Sequence, residues 1–401
     1  MTWSTIALCG SVICAEGYDM GIMGGVLLVF RRTPAFAADA TTLGAVSSAA
    51  LVGMFMGSPL GGRLAQHLGR KPVLIGAFAL FCVATLACAW VATLPALALW
   101  RAIAGLGMGA ALPCAAALTT EHSPPRHASR NYAIMYSGYS IGMLSAALIA
   151  IPFVRSGNWH TLFLIGGTPC VLLPVLVAFL PESPAFLRTR QVASRRVFSP
   201  AANGGLHSRR ALRAGCSFSA TLLIGLFLIY GLGTWLPTLL AMQGRGIGSS
   251  LRFLAMFSLS SAFGGVACGW LADRFGTRRI LFLSFLSGAL ATVFLRHPMS
   301  PGLTLAAVCV AGYASVASSL VLTGYAASWF PPHSRAAAIG PILGIARLGA
   351  IGGPFIAGAI LQLTSGNIAR VVECFAALFT LSACLCLFIP QQQQDLTKRP
   401  S

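Results

Sequence analysis

Charge is scarce in this chain. Only 9% of its 401 residues are charged and just eight are acidic, against roughly 25% charged in soluble domains. With 56% hydrophobic residues, no water-soluble fold could bury the apolar surface, so the solvent must be lipid. The twelve cysteines include no Cys-x-x-Cys pair and no Cys/His cluster, which excludes a disulfide framework and a zinc site. No cofactor is expected. A Walker loop is missing, so ATP hydrolysis is not the energy source. His67, His122, His127, His160, His207, His297 and His333 all fall in gaps or at the ends of apolar runs, and no nucleophile with a matched base stands within any run, so the chain is not expected to be an enzyme. The net charge of +19 comes without a basic stripe interleaved with aromatics, which argues against nucleic acid as a partner. The first apolar run lacks a basic n-region and contains Glu16 and Asp19, unlike a signal peptide.

What is present is apolar length. Runs long enough to cross the hydrocarbon core lie near 5–30, 43–64, 73–92, 95–119, 131–154, 160–180, 213–240, 253–272, 280–296, 302–328, 337–361 and 370–389. With a cytoplasmic N-terminus, the even-numbered gaps and the tail hold 18 basic residues and the opposite gaps seven. That bias predicts N- and C-termini on the cytoplasmic side of a bacterial inner membrane. Gly62–Lys71 returns in degraded form as Gly269–Arg279, and Pro124-Pro125 as Pro331-Pro332, both displaced by 207 residues. Two elements repeating at one spacing indicate a duplication, and duplicated halves in lipid suggest a transporter with its path between them. The expected fold is all-α: twelve transmembrane helices in two pseudo-symmetric six-helix halves, 1–180 and 213–390. A cytoplasmic linker at 181–212 would join them, ended by a tail at 391–401, and Pro181-Glu182-Ser183-Pro184 would terminate the sixth helix. One chain already contains both halves, so a monomer should function. Gly105-x-Gly107-x-Gly109 and Gly57-x-x-x-Gly61 suggest close helix packing.

An ionisable group inside the hydrocarbon costs about 2.5–3.5 kcal/mol on insertion scales. Glu16 and Asp19, three residues apart on one helix face, repel each other and resist ionisation when buried, so the pair can carry a proton; of the two, Asp19 is the better candidate. Arg101 and Arg347 also lie within spans, and a buried guanidinium keeps its proton and needs an anion. Either arginine could simply be the partner of Glu16, Asp19 or Glu121, or one could hold a substrate carboxylate through a bidentate fork while the other tunes the acids of the first span. Glu121 is expected to pair with Arg126 or Arg130, with proton release as the other reading.

Residues 62–71 match the Gly-x-x-x-Asp-Arg-x-Gly-Arg-Arg/Lys motif of the major facilitator superfamily, with Gln66 where Asp is usual, and 269–279 retains Asp273. Arg101-x-x-x-Gly105-x-Gly107-x-Gly109-x-x-x-Pro113 resembles that superfamily's fourth-helix signature. The antiporter signature Gly-Pro-x-x-Gly-Gly is missing from span five, where Tyr136, Gly138, Tyr139 and Gly142 stand. Within the superfamily, Glu16-Gly17-Tyr18-Asp19, Pro181-Glu182-Ser183-Pro184 with Phe186-Leu187, and Trp235-Leu236-Pro237-Thr238 resemble the aromatic acid/proton symporters, which more often have Asp at the position of Glu16. The resemblance implies import of an aromatic carboxylate of benzoate, hydroxybenzoate or phenylpropionate type with protons, by alternating access. A transporter of another organic solute (a sugar, an aliphatic acid or a cation) is the alternative, and a non-transporting membrane sensor a remote one. The resemblance places Arg101 with Asp19 and Glu16 in proton coupling and leaves Arg347 as the substrate anchor. It implies a cytoplasmic gate of Arg63, Arg70, Lys71, Asp273 and Arg274, flanked by Gln66, Arg278 and Arg279. An aromatic substrate needs flat apolar walls, for which Tyr18, Tyr136, Tyr139 and Tyr230 are candidates, with Phe227, Tyr325 and Trp329 behind them.

Overall fold

The computed structural model describes residues 2–31, 38–124, 127–192, 209–330 and 335–389. The regular structure of the described residues is all helical, with no strand among them. Twelve helices are long and apolar enough to cross a membrane, as the hydropathy predicted. The first six spans are α1 (Thr2–Phe30), α2 (Ala40–Leu68), α3 (Arg70–Cys88), α4 (Leu94–Glu121), α5 (Ala128–Arg155), and α6 (His160–Gly167) continued through a 3₁₀ turn into α7 (Leu172–Phe179). The short α8 (Pro184–Val192) follows, so the expected linker begins as a helix; residues 193–208 and 390–401 lie outside the described ones. The second set is α9 (Arg209–Met242), α10 (Ile247–Phe275), α11 (Thr277–Phe294), α12 (Pro301–Gly312) joined by a π-turn at Tyr313–Ala317 to α13 (Ser318–Trp329), α14 (Arg335–Leu363) and α15 (Ile368–Cys386). Helix α10 starts six residues before the apolar run does, because the more polar residues 247–252 are already helical.

The duplication holds helix by helix. The starts of α2, α3, α4 and α5 recur 207 residues later as those of α10, α11, α12 and α14. Packing recurs with them. A side chain at Gly105 would overlap the carbonyl of Ala50, and one at Gly312 that of Phe257; one at Gly142 would overlap the carbonyl of Cys14, and one at Gly349 that of Leu223. Each pair of glycines is 207 apart and lets two backbones meet where any Cβ would hold them off. Gly57, Gly61 and Gly109 serve the same approach between α2 and α4, and Gly107 that between α4 and α3.

Two compact units result: Met1–Ser199 with Gly244–Ala255, and Pro200–Gln243 with Met256–Ser401. In the first unit α1 packs along α5, and α4 along α2 and α3. In the second α9 packs along α14, and α11 along α15. Trp235 is buried and donates its indole N–H to the Pro354 carbonyl at 2.8 Å, tying α9 to α14.

Candidate functional site

Inside the first unit, α1 presents its two carboxylates to α3 and α4. Asp19 is 0% exposed and Arg101 1%, and Asp19 Oδ2 forms an ion pair with Arg101 Nη1. Thr85 on α3 donates its hydroxyl to Asp19 Oδ1 at 3.4 Å. The sequence left Glu16, Asp19 and Glu121 open as partners of Arg101; the structure selects Asp19. Two ions this deep are tolerable only as a pair, since either alone would face an unrepaid desolvation penalty. Arg101 Nε and Nη2 find no acceptor among the described residues, so the guanidinium keeps donors in reserve beyond those Asp19 takes.

Glu16 is buried one turn away from the pair. It borders an apolar pocket with Val12, Phe78, Phe81, Met108 and Ala111, too narrow to admit a water molecule. Tyr18, between the acids, donates its hydroxyl to the Leu162 carbonyl at 3.2 Å, and its ring lies against Gly166 beside Thr85. The acidic tetrapeptide is therefore held by α3, α4 and α6 together.

Arg347 lies half-buried on α14 in the second unit. Ile345, Leu348, Phe355 and Ile356 form the exposed face of that helix, while Gly349 and Gly353 press on α9. Arg347 shares a third strip with Gly340 and Gly344, beside which there is open space. It has no hydrogen-bond or ion-pair partner among the described residues. The structure thus gives Arg101 a fixed carboxylate and leaves Arg347 without one.

Among the aromatic candidates, Tyr136 and Tyr139 stack in near-parallel planes on α5, centroids 5.9 Å apart. Tyr132 extends the stack by another 6.0 Å; the sequence reading overlooked it, although its i, i+4, i+7 spacing with the other two was legible. Tyr230 is half-buried on α9. Phe227 meets Phe375 edge to face at 6.2 Å, and Tyr325 and Trp329 pack around Phe218, so these three serve packing.

The expected gate residues behave differently from one another. Arg63 and Gln66 are exposed on α2. Arg70 is drawn into its own unit: Nη2 pairs with Glu121 at 3.0 Å and Nη1 donates to Ser183 Oγ. Lys71 Nζ donates to the Val177 carbonyl at 2.8 Å. Glu121 was expected to take Arg126 or Arg130. Among the described residues it takes Arg70 and the Ser183 hydroxyl; Arg130 is exposed, and Arg126 lies outside the described residues. Glu182 accepts the backbone N–H groups of Arg70 at 2.9 Å, Lys71 at 3.1 Å and Ser183 at 2.7 Å. Its carboxylate thereby caps the start of α3, where the helix dipole favours an anion. Pro181-Glu182-Ser183-Pro184 does end the sixth span, and it also straps α3, α4 and α8 together. In the second repeat Arg274 stacks over Trp270 at 5.6 Å and Phe275 at 5.5 Å, while Asp273 is exposed.

Comparison with known proteins agrees with this architecture. Residues 10–264 and 247–401 match the model of the Major Facilitator Superfamily. The chain is 31% identical over 393 residues to the benzoate transport protein of Acinetobacter baylyi, covering 90% of this chain and 84% of that protein. It is 34% identical over 376 residues to the 3-(3-hydroxy-phenyl)propionate transporter of Escherichia coli, covering 91% and 88%. Its fold resembles the crystal structure of a D-xylose-proton symporter, with a TM-score of 0.79 at 18% identity over 98% of both chains. A duplicated twelve-helix bundle with a buried carboxylate–guanidinium pair, matched over nearly its whole length by that family's model, belongs to the major facilitator superfamily of membrane transporters.

Proposed function

We propose that this protein imports an aromatic carboxylate together with protons across the bacterial inner membrane, with both termini cytoplasmic. The observation that carries the reading is the Asp19–Arg101 pair, enclosed in apolar helices of a chain whose relatives include transporters of benzoate and of a phenylpropionate. A proton reaching Asp19 neutralises it and frees Arg101, changing the charge inside the first half without moving the backbone; Glu16 supplies the second acid of the same helix. In the second half Arg347 offers its fork to the substrate carboxylate, with Tyr18, Tyr136, Tyr139 and Tyr230 as aromatic walls. The halves, 1–180 and 213–390, rock about that site, with 181–212 as the linker, and Arg63, Arg70, Lys71, Asp273 and Arg274 close the cytoplasmic side. A monoanion with one proton crosses electroneutrally. With two protons, one net positive charge enters and gains about 2.3 kcal/mol per 100 mV.

Proteoliposomes with an imposed inward proton gradient and a radiolabelled hydroxybenzoate outside test the proposal. Gradient-driven accumulation is expected in the wild type and should vanish in Asp19→Asn. In Arg347→Ala the KM should rise about 10-fold or more, the range of a lost charge-assisted hydrogen bond. A wild-type preparation that accumulates no member of a panel of aromatic acids would overturn the substrate reading.

A further inference from the structure

A carboxylate buried in apolar surroundings can be held by donors alone, but a carboxylic acid cannot, because its O–H needs an acceptor. The hydrogen-bond partners of Asp19 among the described residues are Arg101 and Thr85. A guanidinium offers only donors, so Arg101 serves the ionised form alone. The Thr85 hydroxyl is donor and acceptor at once, and it is as fully buried as Asp19. Its orientation is unusual. Buried hydroxyls inside helices commonly bond the carbonyl four residues back, and Ser47, Ser261, Thr292 and Ser319 do so at 2.7 to 2.9 Å. Thr85 instead turns across to Asp19 Oδ1 and has no other hydrogen-bond partner among the described residues. Helix α6 leaves room for it, since a Cβ at Gly166 would lie 3.1 Å from the Thr85 methyl. The other titratable groups near Asp19 are Cys82 and Cys88, three residues either side of Thr85, and Glu16 and Tyr18 on α1 itself. None of these is a hydrogen-bond partner of Asp19, and the Tyr18 hydroxyl is taken by the Leu162 carbonyl. Helix α5 meets this stretch of α1 through the Tyr139 backbone, Met143 and Ala146, which carry no charge. The one titratable residue of α6 is His160, at its first position.

We propose that Thr85 is a positioning residue that serves Asp19 in both of its protonation states. Its hydroxyl donates to the carboxylate while Arg101 is paired there. Once a proton sits on Oδ1, the acid donates to Thr85 Oγ1, and the threonine hydrogen turns back to the carbonyls of α3. This rests on the transport reading above. The two bonds are unequal in worth. At 3.4 Å the bond to the carboxylate is long for a hydroxyl donor, and Arg101 holds the ionised form without it. The neutral acid has no other acceptor among its partners, so removing the hydroxyl falls mainly on the protonated form.

The test measures uptake of radiolabelled hydroxybenzoate into proteoliposomes as external pH is varied, with uptake into protein-free vesicles subtracted. Wild type is compared with Thr85→Val, which keeps the shape and loses the hydroxyl, and with Thr85→Ser, which keeps the hydroxyl. In Thr85→Val half-maximal uptake should need about tenfold more protons, a shift of about one pH unit to the acid side, at an unchanged maximal rate. That is the order of what a buried donor without an acceptor costs. Thr85→Ser should keep the wild-type half-point. Thr85→Ala against Thr85→Ser repeats the comparison in a smaller side chain, so the result does not depend on valine being accommodated. A half-point that stays in place without the hydroxyl, or moves to the alkaline side, would overturn the proposal. So would a serine half-point that moves with the valine one, which would assign the effect to the methyl group. A lower maximal rate with no shift would overturn it too, as the mark of a merely structural residue. In each of these cases the wild type still accumulates the acid. A wild type that accumulates no aromatic acid would instead overturn the transport reading, and the role of Thr85 with it.

Discussion

The two repeats agree in their packing and disagree in their charges. Glycines 207 residues apart bring α4 against α2 and α12 against α10 in the same way. Yet α1 has Glu16 and Asp19, whereas its counterpart α9 has no acidic residue at all. The position of Arg101 on α4 is Val308 on α12, and that of Glu121 is Ser328. In the other direction Arg347 on α14 stands where α5 has Ser140. Helix α4 spans its middle with Pro113, whereas the equivalent span is interrupted by a π-turn. Backbone contacts through glycine leave no room for variation, so a duplicated bundle retains them. Buried charges have no such geometric constraint, and one repeat can drop them whenever the other supplies the function. On the reading above, the first repeat has become the proton half and the second the anion half.

Making the first repeat resemble the second at its buried pair should produce the largest effect. Asp19→Leu or Arg101→Val alone leaves one desolvated charge without its partner, and breaking such a pair destabilises by about 3–5 kcal/mol. The double variant Asp19→Leu/Arg101→Val places residue types of the second repeat at both positions. It should recover most of that loss, because replacing both ions with apolar groups is often neutral or better. Thermal unfolding in detergent checks the recovery, and uptake should nonetheless stay uncoupled from the proton gradient. A double variant as unstable as either single one would mean that the pair is not mutually compensating.

Hydropathy and the offset of 207 residues were enough to read the count of spans, the duplication and the four ionisable groups most deeply placed, because each is a one-dimensional pattern. Partners were not legible. Arg101 had three possible carboxylates in sequence, and only the packing of α1 against α4 chooses Asp19. Glu121 has two arginines within nine residues, yet it binds Arg70, fifty-one residues away, because the Pro181–Pro184 turn folds back under α3. That tetrapeptide reads as a helix terminator; nothing local reveals that its carboxylate caps another helix. The π-turn at Tyr313–Ala317 has no proline to announce it.

The strap itself distinguishes the repeats at their two equivalent turns. Gly69 has φ 102° and ψ 161°, and Gly276 φ 93° and ψ 128°, backbone that side chains rarely adopt, at a cost of order 1–3 kcal/mol. Gly276→Ala meets nothing within 4 Å, whereas a Cβ at Gly69 would overlap Glu182 Oε2. Gly69→Ala should therefore displace the carboxylate from the α3 N-terminus and destabilise by about 1 kcal/mol more than Gly276→Ala, the net worth of a cap of this kind. Melting temperatures of both alanine variants, each with and without Glu182→Ala, check the assignment. The difference between them should disappear once Glu182 is gone; if it persists, it arises from backbone strain or from the Phe186 ring, which a Cβ at Gly69 would meet at 3.1 Å.

The smallest expected effect lies at the opposite helix ends. Asp39 accepts the Thr42 N–H at 2.8 Å and caps α2, while the matching position before α10 is Gly246. Hydrogen bonds from Thr42, hydroxyl and backbone, hold the Asp39 carboxyl below its usual range. The stabilisation is thus fully present above the unfolded-state pKa, roughly 4, and is lost as pH falls through the lower folded value. At neutral pH Asp39→Ala should cost about 1 kcal/mol or less, as exposed N-caps do, and Gly246→Asp should add only a few tenths. A Cβ at Gly246 makes an ordinary 3.7 Å contact with Ser249 Oγ, so nothing steric opposes the added cap. On acidification to about pH 3 the gap between wild type and Asp39→Ala should narrow, and the gain from Gly246→Asp should shrink with it. A gap that is indifferent to pH would show that the carboxylate charge contributes nothing beyond the geometry of the turn.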